Sequence, residues 1–283
     1  MRITGDPVLA EDWALVLVAL GFSPRVRKTR DGFVVNVPEL ELHRALAGLS
    51  AYDRENPPKL ATPNERIASA RLRSASTVAA MLLIFFFTTV LWNSAVPWFE
   101  LGSADAAQIL RGELWRAVTA LTLHADAIHA LSNAVAAVVF LSALYGMLGV
   151  GLGSALVLGA GAGGNLANAL LQGPPHVSVG ASTAIFGAVG MLGGLGMARL
   201  RRNGASRRRV WLPAAAALAL LAMLGAGGPR VDVLAHLLGF LLGSICGIVF
   251  ALVIRRPPAA GLQWAFGCAA LGAVIGCWTL AIR

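Results

Sequence analysis

Seven apolar stretches, each close to the length of a membrane span, constrain this chain more than any other feature. They run over approximately 75–95, 127–147, 149–171, 182–200, 210–227, 231–254 and 261–281. Each approaches the roughly 20 residues a helix needs to cross hydrocarbon. Lipid offers the backbone no hydrogen-bond partners, so such stretches predict helices that satisfy their own peptide groups. The chain is 57% hydrophobic and only 13% charged, a membrane composition and not that of a soluble domain. The fold class that follows is an all-α polytopic membrane protein: six helices over 75–254 and an additional C-terminal span over 261–281.

Residues 1–60 read differently. Glu11 to Leu20 has helical apolar spacing, Ser23 to Lys28 alternates like a strand, and Arg30-Asp31-Gly32 supplies a hairpin turn. Phe33 to Val37 continues as a second strand and Pro38 to Ala51 as a helix. This predicts a small water-facing α/β domain. Pro57, Pro58 and Pro63 mark a linker, taken as 61–74, to the membrane part. Met1 to Asp12 has no basic start followed by an apolar run, so no cleavable signal peptide is expected.

The net charge of +9 is almost entirely arginine and sits at the ends of the apolar stretches. That placement describes topology, and nucleic acid is not expected as a partner. Eleven of the basic residues precede the first span, six lie between the fourth and fifth, and Arg255 and Arg256 follow the sixth. Only Arg111, Arg116, Arg230 and Arg283 fall on the other side. The bias predicts a cytoplasmic N-terminus and a multi-pass protein of the cell membrane. Cys246, Cys268 and Cys277 are odd in number and lack metal-ligand spacing, so they read as small apolar residues. No metal and no cofactor are expected.

Against this background a few polar groups stand out. Ser182 heads the fourth span, His236 lies in the sixth, and His124, His129 and Asn133 cluster at the head of the second. The predicted topology places them all near the outer leaflet. Ionisable groups at membrane depth are costly and mark functional cavities. Phe186, Gly190, Gly193 and Gly194 follow Ser182 at spacings of 4, 8, 11 and 12, which is one helical stripe. His236, Gly239 and Gly243 form a matching stripe. Small-residue faces let helices approach closely, so a serine nucleophile and a histidine base could meet directly. Asn133, His124 and the Ser182 backbone N–H could donate to a developing oxyanion, with His129 tying down the lead-in loop. Asp232, one turn before His236, reads either as an orienting carboxylate or as a helix cap.

These residues resemble the rhomboid intramembrane serine proteases. Gly180 to Gly187 (G-A-S-T-A-I-F-G) resembles the nucleophile motif, and Ala235 to Gly243 (A-H-L-L-G-F-L-L-G) the motif that carries the base. His124 to Asn133 (H-A-D-A-I-H-A-L-S-N) is similar to the second-helix pattern, and Trp115-Arg116 to a pair in the first outer loop that builds a membrane-embedded hairpin. The resemblance implies a rhomboid-like six-helix core with Ser182 as nucleophile and His236 as base. It further implies Asn133 and His124 at the oxyanion hole, beside Gly180, with His129 in support and Phe186 packed on the imidazole. Thr183 departs from the pattern, which usually has glycine after the nucleophile. The seventh span resembles an extra C-terminal helix of part of the family, and residues 1–60 the cytoplasmic domains of some bacterial members.

The activity implied is cleavage of transmembrane segments near the outer leaflet, with membrane proteins as substrates and the bilayer as partner. The partner of the N-terminal domain stays unknown. Two alternatives remain open: a catalytically impaired scaffold that binds client helices, for which Thr183 is the only hint, and a transporter with a polar path. A transporter often carries internal repeats, and none is visible.

Overall fold

The computed structural model describes residues 2–29, 31–56, 63–91, 96–225, 231–253 and 257–283. Arg30, Pro57, Pro58, Arg230, Arg255 and Arg256, used above for the hairpin, the linker and the charge bias, lie outside the described residues. The chain divides into two compact units, Met1–Thr62 and Pro63–Arg283.

The first unit contains β1 (Arg2–Thr4), α1 (Pro7–Ala19), β2 (Arg25–Thr29), β3 (Gly32–Asn36) and α2 (Leu42–Glu55). Its antiparallel sheet has the order β1-β3-β2, with Arg2 and Val26 both paired with Val35. Asp6 caps α1 by accepting the Val8 N–H at 2.9 Å, the usual way to satisfy a helix's first donors. Ala10, Trp13 and Leu17 on α1 bury against Val35, Ala45 and Leu49. Asp53 takes the Trp13 indole N–H at 3.0 Å and pairs with Arg2. The strand β1 escapes sequence reading because three residues are too few to show an alternation.

The second unit is helical apart from one short ribbon. Its helix α3 (Pro63–Phe86) runs into a π-helical turn, Phe87–Leu91. The linker expected over 61–74 is therefore helical from Pro63 onward. No glycine or proline interrupts the chain from Asn64 to Phe86, so nothing breaks the helix on its way into the span. Next come α4 (Trp98–Gly102), β4 (Ala104–Asp105), α5 (Ala106–Leu110) and α6 (Arg116–Thr119), then the long α7 (Ala127–Leu148) and α8 (Val150–Gln172). The strand β5 (Val177–Ser178) pairs with β4. The chain ends with α9 (Ser182–Arg202), α10 (Arg207–Gly225), α11 (Val233–Val253) and α12 (Ala260–Ala281).

Among the described residues, six helices are long and apolar enough to cross a membrane: α3, α7, α8, α9, α11 and α12. The remaining long helix, α10, occupies the place of the stretch read as 210–227 and begins with Arg207, Arg208 and Arg209.

The central helix is α9, with 72% of its apolar window buried in protein against 11% for α12. Its glycines explain this. A β-carbon on Gly190 or Gly194 would overlap the Phe240 or Ser244 carbonyl oxygen of α11. From the other side, one on Gly243 or Gly247 would overlap the Gly187 or Met191 carbonyl oxygen of α9. Gly193, placed on the same stripe by its spacing, faces α10 instead, 2.9 Å from Ala217 Cβ by the same test. Two neighbouring helices share this side of α9, so the stripe divides between them. At the rim, α12 is held at both ends. Gln263 donates to the Leu148 carbonyl at 2.8 Å and accepts from the Leu152 N–H at 3.0 Å. Trp278 donates to Thr122 Oγ1 at 3.1 Å and packs on Phe85 and Trp98.

Candidate active site

Ser182 is the first residue of α9. Gly180 delivers it: its φ of +127° is a conformation that side-chain-bearing residues avoid. The Gly180 N–H is anchored on the Ala120 carbonyl at 2.9 Å. His236 lies in the first turn of α11, and the glycine contacts below it draw α11 against α9. The result is a hydrogen bond of 2.8 Å between Ser182 Oγ and His236 Nε2. The Phe186 ring, one turn below the serine, stacks obliquely on the imidazole with centroids 4.6 Å apart and planes at 38°. His236 and Phe186 are both buried.

The head of α7 brings its polar residues to the same end of the bundle. Asp126 caps the helix by accepting the His129 N–H at 2.8 Å. His129 is half-buried, and its ring fills the space beside Gly180: a β-carbon there would lie 2.6 Å from His129 Cε1 and Nε2 and 3.5 Å from Ser182 Oγ. Asn133 is buried and spends one amide N–H on the His129 carbonyl at 2.9 Å. His124 is fully buried, in edge-to-face contact with His129 at 5.1 Å. Its Nε2 accepts the Ala181 N–H at 3.4 Å, so that nitrogen holds the loop before Ser182 and is not a donor there. Burial, aided by the neighbouring His129, lowers the His124 pKa to about 4 and keeps the ring neutral. The two histidines thus sit in the reverse of the places read from sequence. His124 supports the loop, and His129 borders the serine. Spacing alone could not tell them apart, because the fold of residues 120–126 decides which ring turns inward.

Thr183, the residue after Ser182, is buried. Its methyl carbon lies between two glycines, where added β-carbons on Gly164 of α8 and Gly239 of α11 would approach it to 2.6 and 3.0 Å. A branched residue fits after Ser182 because both facing helices have a glycine there.

The segment before α7 is a compact hairpin built around Arg116. Its guanidinium, almost completely buried, donates to Glu113 at 2.6 Å and to the carbonyls of Glu100 and Ser103 at 2.8 and 3.2 Å. Trp115 packs beside it in a cluster with Leu123 and Trp278. Asn165, buried on α8, ties the hairpin down by donating to the Ala117 carbonyl at 2.9 Å. Asp232 caps α11, its Oδ1 accepting the Ala235 N–H at 3.0 Å, while Oδ2 is held by Asn168 and His176. Asn165, Asn168 and His176 went unnoticed in the sequence. Two asparagines three residues apart in an apolar stretch were the available signal, since a buried amide in a membrane helix needs a specific partner. Among the described residues no group of three His, Cys, Asp or Glu is placed to hold a metal ion.

Comparison with known proteins adds a family frame. A model of the Rhomboid domain matches residues 111–253. The rhomboid-type protein YdcA of Bacillus subtilis is 31% identical over 175 residues, covering 59% of this chain and 83% of that protein. Rhomboid-like protease 3 of Toxoplasma gondii is 32% identical over 206 residues, 69% of this chain and 76% of its own. RHOMBOID-like protein 1 of Arabidopsis thaliana is 30% identical over 169 residues, 58% of this chain and 41% of its own.

Proposed function

The chain belongs to the rhomboid family, and from that premise we propose that it is an intramembrane serine endopeptidase using a Ser182–His236 dyad. It is a multi-pass membrane protein. The observation that carries the reading is the 2.8 Å hydrogen bond between Ser182 Oγ and His236 Nε2, made between two helices long and apolar enough to span a bilayer.

The chemistry follows from the atoms present. Ser182 Oγ attacks the scissile carbonyl carbon as His236 Nε2 takes the hydroxyl proton. Negative charge moves to the carbonyl oxygen. We assign as donors for that oxygen the Ser182 N–H at the start of α9, the His129 ring beside Gly180 and the second amide N–H of Asn133, one turn along α7 from His129. His236 then returns its proton to the departing amine, leaving an acyl-serine. A water molecule, deprotonated by the same imidazole, releases the acid and restores the serine. Phe186 holds the ring at the angle both transfers need. In this assignment His129 replaces His124 at the oxyanion, for the geometric reason given above.

The substrate is a transmembrane segment of another protein. A helix hides its peptide bonds in its own hydrogen bonds, so segments that unwind easily near one membrane face are preferred. The arginine bias puts the N-terminus in the cytoplasm and the dyad toward the outer side. The scaffold reading rests on Thr183, and the seat of its methyl group between Gly164 and Gly239 favours the protease reading.

The experiment is labelling of the purified protein with a fluorophosphonate, beside the Ser182→Ala and His236→Ala variants. Labelling of the wild type that both variants lose is the expected result. A folded wild type that takes no label would overturn the proposal.

A further inference from the structure

The dyad is bracketed by a second polar contact between the same two stretches of chain. His176 lies six residues before Ser182, and Asp232 lies four residues before His236. His176 Nε2 meets Asp232 Oδ2 at 2.7 Å, so the loop that ends in the nucleophile and the helix that begins with the base are pinned above the dyad as well as at it. The pin has a third anchor. Asn168, 1% exposed on α8, donates its amide to the same Oδ2 at 2.6 Å, and Gln172 reaches Oδ1 at 3.4 Å. Asp232 in turn fixes the head of α11, accepting the Ala235 N–H on Oδ1 and the His236 N–H on its backbone carbonyl at 3.1 Å. The His176 carbonyl accepts the Ala106 N–H at 2.9 Å, which carries the connection to α5.

We infer that the His176–Asp232 contact, seated on Asn168, is a positioning clamp that sets the register of His236 against Ser182. The inference rests on the dyad reading above. The clamp does not touch the reacting atoms: both Asp232 oxygens are engaged by His176, Asn168, Gln172 and the Ala235 N–H. Its effect is geometric. Below the clamp α9 and α11 are locked by glycine contacts, and the loop 173–181 is anchored at Gly180 and Ala181; the clamp fastens the head of α11 directly to that loop. Proton transfer from a hydroxyl depends steeply on donor–acceptor distance, and a displacement of about 1 Å is enough to cost roughly two orders of magnitude in rate. Hydrogen bonds to a carboxylate are stronger than neutral ones, which suits a fastening at the rim of a membrane protein. Among the described residues Asp105, paired in the β4–β5 ribbon with Val177 next to His176, is a further charged group on this side, and its carboxylate caps α5 at the Gln108 N–H.

The test uses the full-length protein, reconstituted, with three readouts: the rate constant of fluorophosphonate labelling, kcat and KM on a transmembrane substrate, and the thermal midpoint. His176→Ala is expected to slow labelling and kcat at least about tenfold while KM holds. His176→Gln, which keeps an N–H donor within reach of Asp232, is expected to recover most of that loss. Labelling of His176→Ala at the wild-type rate would overturn the clamp. So would His176→Gln being as slow as His176→Ala, because a donor to Asp232 would then not be what matters. Should His176→Ala fail to fold, Asp232→Asn retains a capping oxygen and takes its place, with slowed labelling expected and an unchanged rate overturning the clamp. A wild-type protein that takes no label would instead sink the dyad reading, and the clamp with it.

Discussion

Gly243 and Gly187 approach so closely that a β-carbon on Gly243 would lie 1.9 Å from the Gly187 carbonyl oxygen. The contact lies below the dyad and holds α11 to α9. A Gly243→Ala variant must push the helices apart, and overpacking of this kind costs about 1–3 kcal/mol. The expected outcome is a lower thermal midpoint together with slower serine labelling, since His236 retreats with its helix. Gly272→Ala on α12, where nothing stands within 4 Å of the added carbon, is the control and should be neutral or slightly stabilising.

Gly180 carries two constraints at once. Its φ of +127° disfavours any side chain, and the His129 ring fills the space a β-carbon would need. Gly180→Ala should therefore displace either the loop or the ring beside the serine. A fall in labelling rate of at least about tenfold is expected, larger than the accompanying loss of stability would explain. A labelling rate equal to wild type would show that the loop relaxes without moving Ser182.

Thr183 tests whether its methyl group is packing or obstruction. Seated between Gly164 and Gly239, it fills space that glycine would leave empty. Thr183→Gly should lower stability by about 1–2 kcal/mol and leave the labelling rate within about threefold of wild type. A tenfold gain in labelling would instead mean that the threonine obstructs the site.

His124 links stability to pH. Its pKa in the folded protein, about 4, lies below the ordinary 6.5. Between those values the unfolded chain binds a proton that the folded protein refuses, so stability rises with pH across this window. The favourable balance is complete above about pH 6.5 and declines as the pH falls. Below about pH 4 the ring protonates in both states and this contribution stops changing. Thermal midpoints measured from pH 7 to pH 4 should fall for the wild type and fall less for His124→Asn. Equal slopes would show that the ring is not held neutral by burial.

Much of the membrane architecture was legible in the chain because its causes are local. A run of about 20 apolar residues has one way to satisfy its backbone in lipid, so the long helices α7, α8, α9, α11 and α12 begin and end close to where the apolar stretches do. The hairpin of β2 and β3 is likewise written in alternation and a turn. The candidate pair Ser182 and His236 was conspicuous for a related reason, as polar groups in stretches where polarity is expensive.

Other features depend on which helix faces which, and no spacing encodes that. Gly193 belongs to the serine's stripe by arithmetic but packs on α10, because α9 is surrounded. The places of His124 and His129 were decided by how residues 120–126 fold back under Ala181. Thr183, an anomaly in one dimension, becomes ordinary once Gly164 and Gly239 lie opposite it. The contact between His176 and Asp232 joins positions 56 residues apart, and Asn168 joins them from a third element. The chain by itself determined where the long apolar helices lie and which polar groups they carry, because hydrophobic transfer and backbone satisfaction act along the sequence; it read seven spans where six helices of the described residues are long and apolar enough to cross. Only the tertiary structure decided which of those groups meet, because side-chain contact depends on rotation and depth set jointly by several helices.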